Sequence, residues 1–276
     1  KAYTDHVVDT VKQSDRYLNA DKAKRSLYDQ AVEAAQKVLD KEKGQYAKQT
    51  KVEELTKAVN DAWKALNGST IPTQKVVVAD PLKLTPDELD QIKQKVAAVN
   101  PGTTVEVAPD GSVTIKRGDQ VLTPIAGDQL VIGQTKVDDP KNLTSTEQGE
   151  VKQKVSTAYQ SLGVTNVTIS NDGTATVTLP SGPVTIPGTD LVVKKTDTEK
   201  YTAETGAPVD LQHGKTVAIG DKLDPSAVVI KDQNGSQVEL PDGAKVVWTE
   251  APDTSEIGDG KTGQAKVIYG DGTESE

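Results

Sequence analysis

The sequence predicts a multidomain chain of mixed α and β structure: a three-helix bundle, two tandem α+β repeats and a C-terminal β-sandwich, arranged as an elongated rod. Three observations predict it. First, a block is written twice. Asp80-Pro81-Leu82-Lys83-Leu84-Thr85, continuing to Lys93-Gln94-Lys95-Val96, returns 59 residues later as Asp139-Pro140-Lys141-Asn142-Leu143-Thr144, continuing to Lys152-Gln153-Lys154-Val155. Later matches keep their order: Asp110-Gly111 with Asp172-Gly173, and Ile125 to Ile132 with Ile186 to Val193. Second, the residues before this block space their apolar side chains by three and four. Third, from about residue 196 that spacing gives way to Val/Ile-rich runs between glycine turns. Tandem small modules build length and present surfaces; they rarely assemble one catalytic cleft.

Residues 1–69 read as helix. Val7, Val11, Ser14 and Leu18 form one stripe, and Leu27, Ala31, Ala34, Ala35, Val38 and Leu39 a second. Val52, Leu55, Val59, Ala62 and Leu66 form a third. Asn67-Gly68 closes the last helix, with Gly68 available for a left-handed cap. Three helices with one stripe each must bury those stripes together. Trp63 is expected at an edge of this core. Thr70 to Gln74 reads as a short linker, and Val76 to Val78 as a strand or extended junction.

The duplicated units span residues 76–137 and 138–195. Thr85-Pro86-Asp87-Glu88 and Thr144-Ser145-Thr146-Glu147 are capping boxes that start a helix. Leu89, Ile92, Val96 and Val99 form the buried face in the first copy; Val151, Val155 and Leu162 do so in the second. Asn100-Pro101-Gly102 stops the first helix. Alternating strands follow, around Asp110-Gly111 and Asp172-Gly173, for which type I′ turns are expected. One helix on one antiparallel sheet is the expected module. In residues 196–276, Asn234-Gly235, Asp242-Gly243 and Asp271-Gly272 separate strands near Val217 to Ile219, Val228 to Ile230, Lys245 to Trp248 and Ala265 to Tyr269.

Composition narrows the function. There is no Cys, Phe or Met and only two Trp, so disulfides, thiolate sites and a large aromatic core are excluded. The net charge is −9. Residues 1–69 carry 13 basic and 11 acidic groups, whereas residues 196–276 carry 7 basic and 16 acidic. An acidic chain is a poor nucleic-acid binder. No apolar run approaches 18 residues, so no membrane insertion is expected. With Lys1 first and no signal or sorting motif, the chain is expected to be a piece of a longer protein.

Three stretches carry family resemblances. Ser14-Asp15-Arg16-Tyr17-Leu18-Asn19-Ala20-Asp21, with Tyr28-Asp29-Gln30-Ala31-Val32, resembles the FIVAR module of Gram-positive surface proteins over residues 1–69. The two helix–hairpin units resemble the α+β repeats of long wall-anchored proteins. Trp248-Thr249-Glu250-Ala251-Pro252-Asp253-Thr254-Ser255 and Val267-Ile268-Tyr269-Gly270-Asp271-Gly272-Thr273 resemble the Rib/alpha-type repeat of surface antigens. That resemblance implies an immunoglobulin-like stalk domain, an extracellular location at the cell wall and no catalytic residues.

Chemistry is accordingly expected to be absent. The two histidines, His6 and His213, stand in different modules, His6 on a helix surface and His213 in a turn. No catalytic residue, cofactor or metal site is expected; Asp138-Asp139 is the place a calcium ion would sit if one bound. The expected function is the non-enzymatic stalk of a bacterial adhesin, monomeric in isolation. Alternatives are binding of a host protein or glycan, self-association through the helical module, or an accessory region of a secreted enzyme. Lys12, Arg16, Lys22, Lys24 and Arg25, clustered around the first interhelix turn, are the candidate partner-binding residues.

Overall fold

The structure is a computed structural model and describes residues 8–40, 47–258 and 260–275. Val7 and His6 lie outside the described residues. The chain divides into two compact units, Lys1–Val193 and Lys194–Glu276. Small antiparallel sheets and helices alternate along it, so the class is mixed α and β.

The first unit begins with α1 (Val8–Lys12), α2 (Asp15–Leu18), α3 (Lys22–Leu39) and α4 (Gln49–Ala65). The first expected helix is thus broken at Ser14, whose hydroxyl donates to the Val11 carbonyl at 2.6 Å. A serine bonded to nearby backbone competes with continued helix. The buried face of α3 keeps Ala31 and Ala35 of the expected stripe but not its leucines. Tyr28, Val32 and Ala35 are buried, while Leu27 and Leu39 are more than half exposed. The larger Tyr28 side chain sets the rotation of the helix, its ring edge-on to Tyr17 at 5.9 Å. Gly68 does not take a left-handed cap. A Cβ there would stand 2.7 Å from the Arg16 carbonyl oxygen and 2.8 Å from the Ala20 nitrogen, so glycine permits close backbone approach.

The first repeat comprises β1 (Val76–Val78), α5 (Pro86–Val99), β2 (Thr104–Val107), β3 (Val113–Arg117), β4 (Gln120–Val121) and β5 (Val131–Gly133). The second comprises β6 (Thr135–Val137), α6 (Ser145–Tyr159), β7 (Asn166–Ile169), β8 (Ala175–Leu179), β9 (Gly182–Ile186), a short α7 (Gly188–Leu191) and β10 (Val192–Lys194). Both capping boxes form. Their glutamates reach further than the helix: Glu88 Oε1 accepts from the Ala79 amide and Glu147 Oε1 from the Asp138 amide, tying each helix to the end of the preceding strand. Glu147 is buried, so Glu147→Ala is expected to lower stability by about 2 kcal/mol in a urea titration, with the exposed Glu88→Ala costing less.

The expected hairpins form, with Val105 opposite Ile115 and Val167 opposite Val177. Their turns are not type I′, because among the described residues only glycine has positive φ. Instead the Gly111 amide donates to Ala108 and the Ala108 amide to Ser112, a turn closed by one left-handed glycine. The same bonds recur at Ser170–Thr174, Asp232–Ser236 and Tyr269–Thr273. Gly127 and Gly188 lie directly against the Asp110 and Asp172 turn carbonyls, and an added Cβ would overlap both oxygens. Gly188→Ala is therefore expected to cost about 2–3 kcal/mol by thermal unfolding, whereas Gly149→Ala, with open space around it, should not destabilise.

The β1–β5 pair departs from the antiparallel plan. β1 runs parallel to β5, with Val76 opposite Val131 and Val77 opposite Ile132. Val76, Val78 and Val131 belong to the core of the first repeat. Ile132 belongs to the core of the second, and Val77 packs against it. A two-stranded sheet thus has one face in each module.

The second unit contains α8 (Asp197–Lys200), β11 (Tyr201–Thr205), β12 (Lys222–Leu223), β13 (Val228–Asp232), β14 (Gln237–Val238), β15 (Lys245–Glu250), β16 (Gln264–Ile268) and β17 (Glu274–Ser275). The sheets β11–β13–β14 and β12–β15–β16–β17 are antiparallel and share one core around Ile230, Val246, Trp248, Val267 and Tyr269. A bulge after Trp248 interrupts the β15–β16 register.

Candidate functional site

The polar chemistry of the first unit concentrates at two joints between modules. At the joint of the helical module and first repeat, α4 ends with free carbonyls. Gln120 Nε2 from the β3–β4 hairpin donates to the Lys64 and Ala65 carbonyls at 3.1 Å each. Arg16 donates to the Lys64 carbonyl at 3.1 Å while its guanidinium stacks 4.1 Å from the Trp63 ring. Buried Asn67 bonds Asp21 through its amide nitrogen at 3.0 Å and accepts from the Asp21 backbone at 3.1 Å. The Thr123 amide donates to the Asn67 carbonyl at 2.8 Å, and the Ser69 amide to the Thr123 hydroxyl at 3.0 Å. Residues expected as a linker are tied down: Asn100 pairs with both the amide and carbonyl of Thr70 at 2.9 Å, and Ile71 packs on the repeat core. Asn100→Ala leaves both Thr70 groups unpaired. We expect it to cost about 2 kcal/mol in denaturant titration.

The second joint surrounds Lys75, which precedes β1 and is 7 % exposed. Its ammonium donates to the Gln129 carbonyl at 2.5 Å and lies 5.3 Å from the Tyr159 ring centroid. Burial lowers its pKa to about 8. Burial likewise pushes the Tyr159 hydroxyl up to about 12; the Lys75 backbone amide faces that hydroxyl without hydrogen-bond alignment. The duplicated position in the second repeat is Gln134, which donates to the Asp190 carbonyl at 2.9 Å, the counterpart of Gln129. Lys154 donates to the Gln134 carbonyl at 2.7 Å across the joint. A cleft of about 460 Å³ opens here, and Asp190 is the one carboxylate in its described lining.

The five basic residues expected as a partner surface are divided in their roles. Lys12 forms an ion pair with Asp29 at 2.8 Å. Burial would raise the Asp29 pKa, but bonds from Lys12 and Tyr17 and the charges of Lys12 and Arg25 hold it below the ordinary value. Lys24 pairs with Asp21 at 3.4 Å, and Arg16 is committed to the α4 terminus. Arg25 is half-buried with its Nε unpartnered, and Lys22 is exposed. His213 is exposed beside the turn glycine Gly214. The sequence reasoning missed Lys75. Its signal was a lysine adjoining Val76-Val77-Val78, where a charge next to a buried strand needs a partner.

Short domains follow one another along the chain, and those of the first unit are joined by side-chain amides directed at backbone groups. The FIVAR domain family matches residues 7–67, the Atypical Rib domain family residues 67–134 and 132–195, and the Rib domain family residues 197–276. FIVAR, atypical Rib and Rib domain matches thus follow one another along the chain, and together with the matrix-binding relatives they support a fragment of a Gram-positive surface adhesin-type protein. The extracellular matrix-binding proteins EbhA of Staphylococcus aureus strain Mu3 and EbhB of strain Newman are each 46 % identical over 57 residues, 21 % of this chain. The chain spans about 1 % of the length of those curated relatives. Among solved structures, the SrpA adhesin from Streptococcus sanguinis aligns at 21 % identity over 34 % of this chain and 52 % of that one, with a TM-score of 0.21. The sialic acid binding region of the Streptococcus sanguinis SK1 adhesin aligns at 14 % identity over 46 % and 66 %, also at 0.21. Scores this low define no shared arrangement. The matched families and relatives are surface and matrix-binding proteins rather than enzymes, and no described helix is long and apolar enough to cross a membrane.

Proposed function

We propose that this chain is a non-enzymatic spacer of an extracellular adhesin, holding a binding region away from the cell wall. The observation that carries this reading is the β1–β5 pair, whose two faces belong to successive cores. A sheet shared in this way resists bending where a flexible linker would not. The first joint supports the same reading, because the Asn67 carbonyl, the Ser69 amide and both backbone groups of Thr70 bond across modules. In this reading the four modules, one helical, two α+β and one immunoglobulin-like sandwich, stand in line as a monomeric rod. Matrix binding, as the Ebh relatives' names state for those proteins, would then fall to other parts of a longer chain.

Small-angle X-ray scattering with light scattering tests this. A rod gives a concentration-independent monomer with a radius of gyration well above the value of about 19 Å for a globule of this length. A radius near that value contradicts the spacer. Growth with concentration favours self-association instead.

A further inference from the structure

The β3–β4 hairpin ends in Arg117, Gly118 and Asp119. Arg117 pairs with Gln120, so Gly118 and Asp119 form a two-residue connection. Gly118 has φ +57°, and an added Cβ there would meet nothing within 4 Å. Its backbone conformation, not crowding, asks for glycine. Asp119 is exposed, and among the described residues its carboxylate has no hydrogen-bond or ion-pair partner. Arg117 is the opposite case. It is half-buried, its Nη1 is buried with no hydrogen-bond partner, and it faces Arg16. Desolvation first, and the Arg117 charge second, lower the Arg16 pKa. A buried cationic donor without an acceptor, beside a like charge, costs folding free energy.

The fold does not need these residues. In the second repeat the ladder position of Arg117 is Leu179, which is buried and apolar, and its hairpin turns through Pro180 and Ser181. The first repeat therefore keeps a frustrated arginine one glycine away from an unengaged carboxylate, at the tip of a hairpin. Departures from local consistency of this kind mark functional positions.

We infer that the Arg117-Gly118-Asp119 tip is a receptor-binding loop for a partner that offers an acidic pocket to the guanidinium and a divalent cation to the Asp119 carboxylate. A carboxylate oxygen completes the shell of a hard cation, and a guanidinium pairs with a carboxylate through two parallel bonds. Binding would move Arg117 from a like charge to an opposite one. Only its side chain needs to turn, since its guanidinium makes no hydrogen bond to a described residue. This goes beyond the spacer reading, which survives its failure.

The test uses the whole chain and a purified integrin ectodomain of the class that binds Arg-Gly-Asp peptides, with Mn²⁺ present. Saturable binding is expected, abolished by EDTA and weakened at least about tenfold by Asp119→Glu, which keeps charge but lengthens the side chain. Arg117→Leu, the residue used in the second repeat, should weaken binding by a similar factor while leaving the melting temperature unchanged or higher. Absence of binding by the parent chain, or binding that survives Asp119→Glu or EDTA, overturns the inference. So does loss of binding in Arg117→Leu with unchanged binding in Asp119→Glu.

Discussion

Ile132→Ala is expected to destabilise both α+β repeats together, by about 3 kcal/mol. Ile132 sits on a strand of the first repeat, yet it is 2 % exposed inside the core of the second. Truncation leaves a cavity in that core and loosens the β5 strand against which β1 pairs. The second repeat supplies the control. Its equivalent residue, Val193, is 38 % exposed, so Val193→Ala should cost about 1 kcal/mol or less. Urea unfolding followed by amide exchange distinguishes the cases. In Ile132→Ala, amides of β1 and of α6 should lose protection in parallel. Loss confined to one repeat would mean that the shared sheet does not couple them.

Lys75→Gln is expected to raise stability by about 1–2 kcal/mol at neutral pH and to flatten its pH dependence between pH 8 and 10. In the folded chain burial holds the Lys75 pKa at about 8, against an ordinary 10.5. Below pH 8 both states are protonated and the folded state carries the full cost of the buried charge. As pH rises from about 8 to 10.5 the folded state loses its proton first. The unfolded state then binds more protons, so stability rises with pH. The ring of Tyr159 offsets part of the cost, by about 1 kcal/mol. Glutamine keeps the bond to the Gln129 carbonyl, as Gln134 does at the duplicated position. Thermal unfolding of parent and variant at pH 7 and pH 10 measures the difference. An unchanged gap between them at the two pH values would show that Lys75 does not titrate in this range.

What was legible in the sequence followed local rules. Capping boxes at Thr85 and Thr144 and the hairpins at the Asp-Gly turns are set by neighbours in the chain, and they formed. The matched FIVAR and Rib stretches were carried by short motifs and were recognisable for the same reason. Features that depend on distant residues were not legible. The face buried by α3 is fixed by Tyr28 against Tyr17, not by the leucines that complete its stripe. The β1–β5 pair joins strands 55 residues apart in register, and three consecutive valines give no alternation from which its two buried faces could be read. Gly68 looked like a helix cap, but its reason is the Arg16 backbone, far away in sequence. Within the basic cluster, the spacing could not show that Lys12 and Lys24 have acidic partners.

The central claim is that the two repeats form one mechanical element of a spacer. Pulling the chain by its ends in a single-molecule force experiment tests it most directly. The repeat pair, about 125 residues, should release in one step of roughly 400 Å of contour length at 3.3–3.6 Å per residue. Two separate steps of about 200 Å each would mean that the repeats are independent beads, and would contradict the claim.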